Sequence, residues 1–453
     1  MEIFFKLFYY LEYIFWFVLV FSIIVFIHEL GHFYVAKANK VKVDRFSIGF
    51  GKPLLKFKDS NNTVWQLCLI PLGGYVKFSG EMYPEKSERK EKKINSELFM
   101  NKTSLQKASI VLAGPLANFI LGIFLFVLIF VLYGKNYTSP VIGYIEKGSP
   151  SEVAGLQKYD KILEMNNNKI KSFEDVSNFL DDNIYEIISF KVDRNGNFFI
   201  VDVRPEIRVI ETFIGSKREI NFLGLQPILD PVIGKVLVET PAYYAGLKSK
   251  DKIIQINDKK VENIRDVISL IKENANNQLN FLILRDGEKI NYDITPALSY
   301  KKDGTEKGVI GVQFSQERKR LNLFAALAES LENFRIIIVK TILAFSEIIF
   351  GKRDHCEVGG PILIAKVSND IGSQDLVSFL SLIALISINL GLINLFPLPL
   401  LDGGHFFTYM YEVINKKKVT KNFYKYFQTI GAFLIISLMF FSVFNDIYCR
   451  VLN

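Results

Sequence analysis

His28-Glu29-Leu30-Gly31-His32 sets two imidazoles four residues apart, with a carboxylate beside the first. On a helix such residues share one face, so both rings can grip one metal ion with Glu29 next to it. This HExxH pattern belongs to zinc hydrolases, where the metal activates water and the glutamate moves its proton. The 453-residue chain has only 4 histidines, so the pattern is a poor candidate for coincidence. No charged residue occurs from Tyr13 to Ile27, and apolar character resumes at Phe33 and runs to Ala36. Ionisable groups at that depth in lipid are costly unless paired or metallated, so a structural role is the weaker reading. The chemistry implied is hydrolysis within, or at the edge of, a bilayer.

A catalytic zinc site takes three protein ligands and leaves a position for water. Candidates for the third ligand are His355, His405, Asp402 and Asp370. Asp402 follows Pro397 and Pro399 at the end of an apolar stretch, where it can meet the end of the first one. That makes it the best choice, with His405 as runner-up; a turn aspartate before Gly403-Gly404 is the plainer alternative. With zinc on His28, His32 and Asp402, Glu29 would take a proton from water and pass it to the leaving amide nitrogen. Peptide-bond hydrolysis without a covalent intermediate is expected, although small-amide hydrolysis uses the same parts.

The elements that must position these groups are membrane helices. Hydrophobic residues make up 49% of the chain, with 40 phenylalanines and positive mean hydropathy. Four spans are expected, at 13–36, 108–133, 376–401 and 429–445. The first carries the metal motif and no small-residue cleavage site follows it, so a cleaved signal peptide is not expected. Residues 34–107 hold 15 Lys/Arg against 7 Asp/Glu, whereas 134–320 hold 28 against 27. The stretch 402–425 is basic again. By the positive-inside rule 34–107 and 402–425 face the cytoplasm, the middle region lies outside, and the metal motif sits near the cytoplasmic face. The net charge of +8 is thus a topology signal, and no basic motif argues for nucleic-acid binding. Cys68, Cys356 and Cys449 suggest neither a disulfide framework nor a CxxC metal site.

The middle region repeats itself. Val141-Ile142-Gly143 recurs as Val232-Ile233-Gly234, Ala154-Gly155-Leu156 as Ala245-Gly246-Leu247, and Asp160-Lys161-Ile162 as Asp251-Lys252-Ile253. These are two small α+β modules in tandem. Between the first two spans, Phe46–Lys58 and Thr63–Phe78 flank an Asp59-Ser60-Asn61-Asn62 turn and read as a β-hairpin. Its arms carry Gly49-Phe50-Gly51 and Pro71-Leu72-Gly73-Gly74-Tyr75; such glycines are ordinary in turns, but they also let backbone approach another chain closely. Glu81–Lys102 reads as a charged cytoplasmic loop. Residues 321–350 read as one or two amphipathic helices on the outer membrane surface. A membrane-spanning substrate must unwind to be cut, and its freed backbone groups then need partners. Asn389, Asn394 and the hairpin edge could supply them, although asparagines also bond neighbouring helices.

Taken together, the HExxH span, Asn394–Gly404, Gly49-Phe50-Gly51, Pro71–Lys77 and Ala113-Gly114-Pro115-Leu116-Ala117-Asn118 resemble the site-2 protease family of intramembrane zinc metalloproteases. The resemblance covers nearly the whole chain, and the two modules look like PDZ domains. It implies zinc on His28, His32 and Asp402, with Glu29 as the catalytic carboxylate. It implies substrate handling by Gly49, Phe50, Gly51, Asn389, Asn394, Pro397 and Pro399. The implied architecture is a polytopic α-helical protein of the bacterial inner membrane, with four transmembrane helices, a membrane-associated β-hairpin and two tandem PDZ-like periplasmic domains. Its parts would be a membrane part (1–133), PDZ-like domains (134–225 and 226–298), an amphipathic linker (299–375) and a second membrane part (376–453). Implied substrates are single-span membrane proteins already trimmed outside, such as anti-sigma factors, and leftover signal peptides. A membrane scaffold with a structural metal site is the alternative, disfavoured because such a site needs no glutamate at position 29. A metal transporter is disfavoured because the candidate ligands form one cluster and no path.

Overall fold

In lipid, a long uncharged run pairs all its backbone polar groups within itself only as a helix, and such helices dominate one part of the molecule. A computed structural model describes residues 2–80, 96–182, 184–211, 217–300, 306–315, 317–351, 356, 359–372 and 375–449. The chain divides into two units: residues 1–134, 211–217 and 320–453, and residues 135–210 and 218–319. The expected loop 81–102 falls largely outside the described residues, as does His355.

In the first unit the helices are α1 (Glu2–Ala38), α2 (Ser104–Leu132), α3 (Leu323–Ile349), α4 (Pro361–Gly372), α5 (Leu376–Asn394), α6 (Asp402–Asn415) and α7 (Lys421–Ile447). Among the described residues, four helical segments are long and apolar enough to cross a membrane: Glu12–Ala38, Ser104–Leu132, Leu376–Asn394 and Asn422–Ile447. Thr103 and Gln106 close a capping box at the start of α2. The third span stops at Asn394, short of the expected 401. Pro397 and Pro399 cannot donate to a helical ladder and crowd the preceding turn, so 395–401 fold as a turn. Within 321–350 the single helix α3 forms, and its apolar side joins the core of the spans. Ala326 is buried there with Ile129, Phe130, Ile383 and Ile388.

The cysteine expectation needs correction, because Cys356 and Cys449 form a disulfide. They lie 93 residues apart in sequence, so only the fold brings them together. A second link lies beside it. Pro361 has no N–H, and the neighbouring N–H groups of Gly360, Ile362 and Leu363 all donate to the Asp446 carboxylate. The end of α7 is thereby fixed to the start of α4, where the helix dipole favours a negative charge.

The hairpin arms are strands β1 (Val43–Lys58) and β2 (Val64–Phe78). Each is bent, so that Phe46 pairs with both Val76 and Trp65, and Ile48 with both Gly74 and Leu67. Residues 43–48 therefore lie between the two halves of β2, in a sheet of four segments. The corners fall at Gly49, Gly51 and Gly73, with φ of 83°, 89° and 101°, where a side chain would be strained. The second half of β2 forms one edge.

The second unit contains the repeat. Each copy has a four-stranded antiparallel sheet and a ten-residue helix, Phe173–Asp182 in the first and Ile264–Glu273 in the second. Core residues recur at a spacing of 91: Ile142 and Ile233, Leu156 and Leu247, Val176 and Val267, Phe190 and Phe281. Strand Leu225–Pro227 closes the first copy on Ile142–Ile145, and Val312–Phe314 closes the second on Ile233–Val236. Fully buried Asp160 and Asp251 accept paired bonds from Arg194 and Arg285, 2.6–2.7 Å long. The same arginines donate to the carbonyls of Gly155 and Gly246, which locks each small helix to its sheet.

Candidate metal centre

Small residues let α1 and α2 approach until their backbones touch. A Cβ at Gly31 would strike the Ala113 carbonyl, and one at Gly114 would strike the imidazoles of His28 and His32. The rings thus fill the space that Gly114 leaves open. Helix α6 brings the third group. Leu400 adopts a left-handed conformation (φ 72°), an unfavourable state for a branched side chain. Gly403 and Gly404 allow the start of α6 to lie against the carbonyls of Leu395, Phe396 and Leu398. Asp402 is the first residue of that helix.

Nε2 of His28 and Nε2 of His32 lie 3.2 Å apart, and Oδ2 of Asp402 lies 3.0 Å from the first and 3.4 Å from the second. With zinc–ligand bonds of about 2.0–2.2 Å, the corners of a tetrahedron lie about 3.3–3.6 Å apart. The three atoms are therefore within a few tenths of an ångström of the spacing of three corners around one ion. Among the described residues this is the group of donors that could share a metal. His405 and Asp370 do not belong to it.

The outer hydrogen bonds fit the same use. His32 Nδ1 lies 2.8 Å from the Ile110 carbonyl, so it carries the proton and Nε2 keeps its lone pair for the metal. His28 Nδ1 lies 3.2 Å from the Asn118 side-chain nitrogen, while the buried Asn118 Oδ1 has no partner among the described residues. Turning that amide over brings its oxygen to the imidazole. Asn118 Oδ1 then accepts from His28 Nδ1–H, and His28 Nε2 is freed as well. Ser387 Oγ on α5 donates to the Asn118 carbonyl, 2.9 Å away, and holds this part of α2 from the other side.

The donor group opens on a cavity of about 520 Å³. Glu29, Asn394, His405, Tyr424 and residues 73–76 of the β2 edge line it. A Cβ at Gly74 would press on Glu29 Cγ, so the hairpin edge packs against the Glu29 side chain. Among the other residues expected to handle substrate, the corner Gly49–Gly51 touches the edge through Phe50, which stacks on Tyr75 at 6.1 Å. Asn389 Oδ1 accepts from Thr341 Oγ1 on α3 at 2.8 Å, a bond between helices. Pro399 packs on α7, where a Cβ at Gly431 would strike it; Pro397 ends the third span. Gly114 and Asn118 were missed as site residues from chemistry alone. An asparagine and a Gly-Pro pair in an uncharged span were the available signal.

The sequence profile of peptidase family M50 matches residues 16–438. The chain is similar to a protein of Rickettsia conorii named as a zinc metalloprotease, with 32% identity over 95% of this chain and 97% of that one. It is similar to the regulator of sigma-E protease of Escherichia coli, with 31% identity over the same shares. The regulator of sigma-E protease of Haemophilus influenzae is likewise 31% identical over 95% of this chain.

Proposed function

The chain belongs to peptidase family M50 and is an intramembrane zinc metalloprotease, and from that premise we propose that it cuts single-span membrane proteins in or beside their spanning segment. The observation that carries the site assignment is the tetrahedral spacing of His28 Nε2, His32 Nε2 and Asp402 Oδ2, with Glu29 in the same cavity. His28, His32 and Asp402 hold the zinc. When bound, zinc supplies Lewis-acid polarisation of the attacking water and of the scissile carbonyl. Glu29 takes the water's proton and delivers it to the leaving nitrogen. The unwound substrate adds as a strand to the edge formed by residues 74–78, and Asn394 bonds a backbone group that the lost helix leaves open.

Likeness to sigma-E regulator proteases supports a role in regulated proteolysis, with anti-sigma factors already trimmed outside, or leftover signal peptides, as the substrate class. We place the chain in a bacterial inner membrane, with the two modules as PDZ-like periplasmic domains that restrict large ectodomains and the zinc near the cytoplasmic side. The basic balance of 34–107 and 402–425 supports that orientation. The Cys356–Cys449 disulfide supports it independently, since it joins segments on the side read as periplasmic, where disulfides persist.

A single-span reporter exposed to wild type and to Glu29→Gln tests the reading. Cleavage by wild type alone is expected; equal cleavage by both would sink it.

A further inference from the structure

We propose that His405, held by Tyr424, donates a hydrogen bond from Nε2–H to the scissile carbonyl oxygen. This rests on the protease reading above and adds the group that meets the charge developing on that oxygen.

His405 sits one turn after Asp402 on α6, a spacing that puts two side chains on one helical face about 5–6 Å apart at Cβ. It lines the cavity that holds Glu29 and the three donors, yet it stands outside the donor group. Its Nδ1 lies 3.2 Å from the hydroxyl of Tyr424, which reaches into the same cavity from α7. When that hydroxyl donates to Nδ1, the ring's proton resides on Nε2. Burial pushes the imidazole below its usual range, which favours this neutral form.

As water attacks, a new C–O bond forms and the carbonyl π pair moves onto oxygen. The water's proton goes to Glu29 and then to the nitrogen as the C–N bond breaks. His405 gives a hydrogen bond and no proton, so it ends each cycle as it began. A fixed donor aimed at a developing oxyanion acts mainly in the transition state, so it raises kcat with little effect on KM.

Full-length wild type, Glu29→Gln, His405→Phe, His405→Gln and Tyr424→Phe are compared on a detergent-solubilised single-span reporter for single-turnover rate, KM and zinc per chain. His405→Phe is expected to lose about 100- to 1,000-fold in rate, with KM and zinc content unchanged. His405→Gln keeps an N–H donor and recovers part of the loss, and Tyr424→Phe falls between wild type and His405→Phe. Wild-type rates in His405→Phe would overturn the proposal. So would equal impairment of the Phe and Gln variants with zinc lost or KM raised, which marks a packing or ligand role. Wild type no faster than Glu29→Gln would remove the protease reading along with it.

Discussion

The side-chain nitrogen of Asn118 lies 3.2 Å from His28 Nδ1, while the oxygen of the same amide is buried without a partner among the described residues. Turned so that its oxygen accepts from the ring, that amide is placed to support the imidazole as a metal ligand.

Asn118→Leu removes the acceptor while keeping the volume. Loss of such a support costs about 10- to 100-fold in metal affinity. Chelator competition on the solubilised chain is expected to show that drop, with helix content unchanged by circular dichroism. Wild-type zinc affinity in Asn118→Leu would mean the amide serves packing alone.

Gly114→Ala places a methyl group against His32 Nε2 and His28 Cε1. Alanine is the better helix former by about 1 kcal/mol, so helicity should not suffer. Zinc per chain is expected to fall well below one, as measured by elemental analysis. Full zinc occupancy would show that α1 and α2 can part to make room.

Arg285→Ala leaves Asp251 fully buried without its charge partner. Stranding a buried charge costs about 3–5 kcal/mol, and the part-exposed arginine argues for the lower end. The Lys252–Asp230 pair, at 2.9 Å and exposed on both sides, gives a control: Lys252→Ala should cost below about 1 kcal/mol. Limited proteolysis of the full chain is expected to cut within 218–319 far faster in Arg285→Ala than in Lys252→Ala. Similar rates in the two would show that the buried pair adds no stability.

Much of the candidate site could be read before the fold. The four-residue spacing of His28 and His32 carries helical geometry within it, and Asp402 followed from charge asymmetry across the spans. The repeat was visible because both copies keep the same loop residues at one spacing. What escaped depends on contacts between distant segments. Arg194 and Arg285 look like surface charges at a turn until the strands bring them over Asp160 and Asp251. The double pairing of β1 needs both corners to be bent, and a hairpin pattern alone does not say so. Thr341 could not be matched to Asn389 without knowing that α3 lies along α5. The cysteines misled because an odd number at wide spacing hides one genuine pair.

Joining Cys356 to Cys449 also changes the topology of the covalent chain. The last two spans and the helix between them become a closed ring, and Asp402 rides on that ring while His28 and His32 lie on the open part. A crosslink closing a loop of roughly 100 residues removes about 4.7 kcal/mol of entropy from the unfolded state in the chain-entropy treatment. A break in the backbone anywhere inside the ring, such as the exposed turn at 416–418, leaves both pieces joined. A break on the other side of Asp402, such as in the turn 395–401, would leave Asp402 joined to His28 and His32 through the disulfide alone.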